Sequence, residues 1–182
     1  MKSMTRKHYF GIASVIVVLD RITKVAISSA IPVHRSIDVI PGFFRIAHEL
    51  NEGAAFSLLA GWSSRYRSVL LIGVALVAVS VISVLLWTLS PGVRPDRFSE
   101  AGLFRNGKAL ALSLILGGSI GNLWDRALTG HVVDFLEFQF GHYIWPDFNV
   151  ADISIVTGVC LLLAGSLFAG NSSQAGPESS SE

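Results

Sequence analysis

The sequence predicts a membrane all-α bundle: four transmembrane helices carrying a small extracytoplasmic β-sheet on the outer face. Three observations lead there. The 182 residues are 51% hydrophobic and only 15% charged, with a mean hydropathy of +0.56, whereas a soluble domain carries about a quarter charged residues. Apolar segments recur at about 9–30, 68–89, 108–127 and 151–170. The stretches that join the first to the second and the third to the fourth alternate apolar and polar residues, the period of half-buried strands. A net charge of +1 gives no reason to expect nucleic acid. The lone cysteine, Cys160, lies in an apolar run, so no disulfide framework or cysteine metal site can be built.

The first segment follows Lys2, Arg6 and Lys7 and has the outline of a signal peptide. Asp20, Arg21 and Lys24 nevertheless precede the small-residue site Ser28-Ser29-Ala30, so a retained helix is expected. In the outer loop 31–67, Ser36–Val39 and Phe43–Leu50 flank the turn dipeptide Pro41-Gly42. Phe44, Ile46, His48 and Leu50 alternate there with Arg45, Ala47 and Glu49, and Asn51–Phe56 leads the chain back. The segment 68–89 is uncharged and long enough to cross ~30 Å of hydrocarbon at ~1.5 Å per residue. Residues 90–107 read as a cytoplasmic loop, and the outer loop 128–150 carries a second alternating stretch, Val132–Phe140. Residues 1–170 are thus expected to form one integral-membrane domain, and the Ser-rich stretch 171–182 a disordered cytoplasmic tail.

Orientation follows from basic residues. Lys2, Arg6, Lys7, Arg94, Arg97, Arg105 and Lys108 fall on one side, and Arg35, Arg45, Arg65 and Arg67 on the other. The richer side is assigned to the cytoplasm, with both termini. Depth then gathers the polar groups. A helix entering near His8 places Asp20 ~18 Å and Lys24 ~24 Å in; one entering near Lys108 places Asn122 ~21 Å and Asp125 ~26 Å in. Counted back from Gly170, Asp152 lies ~27 Å from the cytoplasmic face. One polar site in the outer third of the membrane accounts for all of them.

Local spacing adds detail. Asp20 and Lys24 are i, i+4, an ion-pair order. Asn122, Asp125 and Arg126 share one helix face, one turn beyond Gly117, Gly118 and Gly121, whose small size suits close helix packing. Asn149 is a good N-cap, and Asp152 three residues on completes a capping box. Asp134 stands among Val132, Val133, Phe135 and Leu136, where poor solvation should raise its pKa. Two carboxylates in unequal settings suit general acid–base work, one activating water while the other holds a proton toward a carbonyl. Asp134 and Asp152 are the expected pair. His48-Glu49 begins an H-E-x-x-H but meets Glu52 at its fifth position, and His8, His34, His48, His131 and His142 do not cluster at ligand spacing. A proton-coupled transporter would line its acids along a path across the membrane, and an assembly factor would use its polar belt only to pack helices.

The motifs D-R-I-T-K (Asp20–Lys24), N-E-G-A-A-F-S (Asn51–Ser57), G-G-S-I-G-N-L-W-D-R (Gly117–Arg126), V-V-D-F (Val132–Phe135) and F-N-V-A-D (Phe148–Asp152) occur in that order. In this the chain closely resembles the bacterial lipoprotein signal peptidases, the signal peptidase II family, over nearly everything outside the tails and the 90–107 loop. Ser119 departs from the alanine usual there. The resemblance implies an aspartyl endopeptidase of the bacterial inner membrane. It would cut the signal peptide from diacylglyceryl-modified prolipoproteins just before the lipidated cysteine, within membrane lipid and with no cofactor. It implies Asp134 and Asp152 as the catalytic dyad, near the periplasmic face. Asn51, Gly118, Asn122, Asp125, Arg126, Asn149 and Ala151 fall on positions that line or support the site, and Asp20 with Lys24 would brace the first helix against the third.

Overall fold

The computed structural model describes residues 5–53, 64–89 and 100–172. Among these the helices are α1 (Arg6–Ala30), α2 (Ser64–Thr88), α3 (Glu100–Thr129) and α4 (Val150–Ser172). The strands are β1 (Ser36–Ile40), β2 (Phe44–Asn51), β3 (Val132–Phe140) and β4 (Tyr143–Phe148). The far part of the Asn51–Phe56 return, Arg94 and Arg97 of the basic loop, and tail residues 173–182 lie outside the described residues.

Helix ends follow from local chemistry. α1 stops ahead of Pro32: Ile31 takes φ −123° and ψ 126°, the extended backbone favoured before proline. α3 ends at Gly130, whose φ of 81° and N–H bond to the Arg126 carbonyl at 3.1 Å make a left-handed cap. Two helices begin earlier than their apolar runs suggest, α2 at Ser64 and α3 at Glu100. For α3 the reason is compositional: Glu100, Ala101, Leu103, Arg105 and Lys108 are good helix formers, so the helix runs on past its apolar stretch.

The sheet is antiparallel throughout, in the order β1-β2-β3-β4. Its central pairing, β2 with β3, joins the segment after α1 to the segment after α3 and sets Glu49 opposite Asp134 and Asn51 opposite Val132. β4 was not expected from the sequence. Pro146 and Asp147 interrupt its alternation, and proline is tolerated because β4 is an edge strand.

α3 is the central helix, touching α1, α2 and α4. Toward one end it packs an apolar cluster of Ala13, Leu86, Ala109, Leu112 and Leu116, with Leu162 against it. Toward the other end its inward face is polar. α1 is arranged inside out: Val15, Val18, Ile22 and Val25 face outward, while Asp20 and Lys24 are 0% and 1% exposed. Tyr66–Thr88 of α2 and Val150–Leu167 of α4 are long and apolar enough to cross a membrane. Their outward Val74, Val77, Val81, Val84, Val156, Leu163 and Leu167 form an apolar surface that water would not favour.

Candidate active site

Asp134 sits on β3 and Asp152 in the first turn of α4, and one residue links them. Asn149 immediately precedes α4. Its side-chain Oδ1 accepts the Asp152 N–H at 3.0 Å, and its own N–H donates to Asp152 Oδ2 at 3.2 Å, the reciprocal capping box. Its Nδ2 then donates to Asp134 Oδ1 at 2.6 Å. Asn149 is 0% exposed. Capping and site construction are thus one arrangement, because the N-cap amide has a second end.

Each carboxylate has a further amide. Asn51, the last residue of β2, donates from Nδ2 to Asp134 Oδ2 at 2.8 Å while its Oδ1 accepts the Gly53 N–H at 2.8 Å. Asn122 of α3 donates from Nδ2 to Asp152 Oδ1 at 2.7 Å. Asp134 is 2% exposed, and its carboxyl is pushed up to about 7. Burial is the main cause; the nearby Asp152 charge adds to it, while the Asn51 and Asn149 bonds and the Lys24 charge oppose it.

Behind these amides lies a buried ionic cluster. Lys24 Nζ stands 2.8 Å from Asp20 Oδ2, 2.8 Å from Asp125 Oδ2 and 3.1 Å from Asn122 Oδ1. Arg21 meets the other oxygen of Asp125. Asp20 Oδ1 accepts the Ala151 N–H at 3.0 Å, so α1 supplies a carboxylate to an unpaired amide in the first turn of α4. A Cβ on Gly121 would stand 2.6 Å from Asp20 Oδ2, and one on Gly118 would overlap the Ala151 carbonyl. Both glycines allow the helices to approach at the level of the site. Arg126 lies beside Asp152, Asp134 and Asp125, its Nη1 3.5 Å from the Asn122 carbonyl.

All eleven residues singled out from the sequence therefore fall in one region, on α1, β2, α3, β3 and α4 or at their ends. Several contributors were not singled out. Arg21 completes the ionic cluster, and its charge inside an apolar segment was the available signal. His48 is 4% exposed and holds the Ile31 carbonyl at 2.7 Å, fastening β2 to the end of α1. A cavity of about 300 Å³ opens beside Asp152, with apolar walls from Trp145, Phe148, Ile153, Val156 and Thr157. No periodicity marks these residues as a group. Gly117-Gly118-Ser119-Ile120-Gly121 also spells the G-x-S-x-G of serine hydrolases. Here it lies inside α3, without the strand-to-helix turn that would expose the serine.

Comparison with known proteins gives the family. The family model for signal peptidase (SPase) II matches residues 12–168. The lipoprotein signal peptidase of Solibacter usitatus is 44% identical over 154 residues, covering 85% of this chain and 87% of that protein. That of a Sulfurihydrogenibium species is 36% identical over 160 residues, covering 88% and 91%. A bacterial membrane enzyme determined by the in meso method superposes with a TM-score of 0.68 at 30% identity, over 87% of this chain and 92% of the other. A second gives a TM-score of 0.71 at 28% identity, over 95% and 94%. With the match running through nearly every described element, the chain belongs to the signal peptidase II family and is a peptidase of the membrane.

Proposed function

We propose that this protein removes signal peptides from diacylglyceryl-modified prolipoproteins, cutting just before the lipidated cysteine, with Asp134 and Asp152 as an aspartic dyad. The observation that carries the reading is the Asn149 bridge, which ties a buried carboxyl of pKa about 7 to a second carboxylate at a helix N-terminus. Family membership supports the substrate class, since the relatives are lipoprotein signal peptidases. The apolar cavity beside Asp152 supports a hydrocarbon-rich substrate. We further infer one domain over residues 1–170 with all four helices spanning the bacterial inner membrane, the termini cytoplasmic and the dyad near the periplasmic face. The burial of Asp20 and Lys24 in the middle of α1, with apolar side chains facing outward around them, supports this for α1, one of the two less apolar helices.

In the reaction, ionised Asp152 takes a proton from water as the oxygen bonds to the scissile carbonyl carbon. Asp134 gives its proton to the carbonyl oxygen, forming a neutral tetrahedral diol. Collapse breaks the C–N bond: Asp152 returns its proton to the leaving nitrogen, and a diol hydroxyl returns one to Asp134. Asn122 and Asn149 hold Asp152 by donors alone, and Asn51 and Asn149 hold Asp134 in place. Arg126 places positive charge where oxyanion character develops.

The test is direct. Purified protein given a diacylglyceryl-modified prolipoprotein should release the signal peptide, with excess chelator having no effect. Asp134→Asn and Asp152→Asn should each lose more than ~100-fold in rate, the scale of general acid–base catalysis. A folded variant of either kind that cleaves at the wild-type rate would sink the dyad.

A further inference from the structure

Each of the three carboxamides that face the aspartates is held by its oxygen. Asn149 Oδ1 accepts the Asp152 N–H, and Asn51 Oδ1 accepts the Gly53 N–H. In both, the nitrogen is thereby turned to Asp134. Asn122 repeats the arrangement toward Asp152, with one difference. Its Oδ1 is held by side chains: the Lys24 ammonium at 3.1 Å and, farther off, Asn149 Nδ2 at 3.3 Å. An amide turned by half a rotation would set Oδ1 against the Asp152 carboxylate and Nδ2 against the ammonium. Lys24 has donors only, so it admits just one of the two orientations.

We propose that Lys24 is a positioning residue for the cleavage reaction: by holding Asn122 Oδ1 it fixes the polarity of that amide, and so supplies the hydrogen bond that orients Asp152. This rests on the aspartate reading above and deepens it. Lys24 is suited to the role because its head has nowhere else to turn. Its other two donors go to Asp20 Oδ2 and Asp125 Oδ2, each at 2.8 Å, and the side chain is 1% exposed. The charges of Asp20 and Asp125 balance those of Lys24 and Arg21, so no uncompensated ion is buried. A brace between α1 and α3 would need only the two carboxylate contacts. The third donor is the one aimed at the site.

A double-mutant cycle separates positioning from bracing. It is run in an Asp125→Asn background, which keeps the buried charges balanced when Lys24 is lost. Lys24→Met, Asn122→Ala and their combination are compared on a diacylglyceryl-modified prolipoprotein peptide, beside Asp134→Asn and Asp152→Asn. Lys24→Met should lower kcat about 10- to 100-fold, the scale of a hydrogen bond to a charged group. It should also move the alkaline limb of the pH profile upward, because the Lys24 charge favours ionised Asp134. Added to Asn122→Ala, it should cost less than about threefold more, since no amide is left to orient. Fully multiplicative losses make Lys24 a brace and overturn the proposal, wherever the limb lies, since loss of the Lys24 charge moves it in either case. If Lys24→Met does not fold, Lys24→Gln replaces it; a neutral donor should recover at least about a tenth of the rate. Should neither fold where Asn122→Ala does, Lys24 is a brace and the proposal falls. Wild-type cleavage by Asp134→Asn or Asp152→Asn would instead remove the dyad on which both readings stand.

Discussion

Burial holds the Asp134 carboxyl at about 7 against an ordinary 3.8, so near neutral pH it still carries a proton to give. A group that must be protonated loses activity as pH rises through its pKa, which puts the alkaline limb of kcat/KM near 7. Asn51 donates to Asp134 and favours the ionised form, so Asn51→Ala should lower the rate and move that limb upward. A downward move would contradict the assignment. Asp147 on β4 makes a second case, away from the dyad. Burial and the facing Glu137 and Glu49 push it to about 6, with Arg45 opposing. Its folded pKa exceeds the unfolded value of 3.8, so the unfolded chain releases its proton first and stability falls as pH rises from there to about 6. Asp147→Asn should therefore raise Tm by about 2 °C at pH 8 and leave it unchanged at pH 4. Thermal unfolding in detergent reads this, and an equal gain at both pH values would remove the electrostatic explanation.

Among the elements, α3 and α4 set the tolerance of the site. Gly118 faces the Ala151 carbonyl and Ile155 so closely that any side chain must push the helices apart. Asp152 lies one residue beyond Ala151, so that displacement reaches the carboxylate directly. Gly118→Val should cost about 3 kcal/mol of stability, the upper range for overpacking, and at least about tenfold in kcat as the Asn122–Asp152 bond is broken. Gly73 on α2 has open space where its Cβ would be, and Gly73→Ala should be neutral or stabilising by up to about 1 kcal/mol. Equal effects at the two positions would show that helix propensity, and not the α3–α4 approach, governs them.

For the whole molecule, apolar side chains face outward on α1, α2 and α4 while Asp20 and Lys24 of α1 turn inward, an arrangement suited to hydrocarbon. The sheet caps the polar end of the bundle, and Trp145 and Tyr143 are exposed on its edge strand, as interfacial aromatics are. Impermeant maleimide labelling tests the orientation, after Cys160→Ser removes the exposed native thiol. His142→Cys, in the exposed turn between β3 and β4, should label in intact cells, and Lys7→Cys only after lysis. The opposite pattern would invert the proposed topology.

Much of this was legible in the chain itself. Helix rise per residue is constant, so counting alone brought Asp20, Lys24, Asn122, Asp125 and Asp152 to one depth. Period-two alternation marked β2 and β3, and the Asn149–Asp152 spacing announced a capping box. Only the tertiary structure decided the rest. Helix rotation turned Lys24 onto Asn122 and brought Arg21 to Asp125. The β2–β3 register carried Asn51 to Asp134, a partner 83 positions away. The edge strand β4, hidden by Pro146, walled the cavity beside Asp152. Depth and periodicity are properties of one element and can be read along it. Rotation, register and the direction an amide faces depend on two elements at once, and they are settled only where those elements meet.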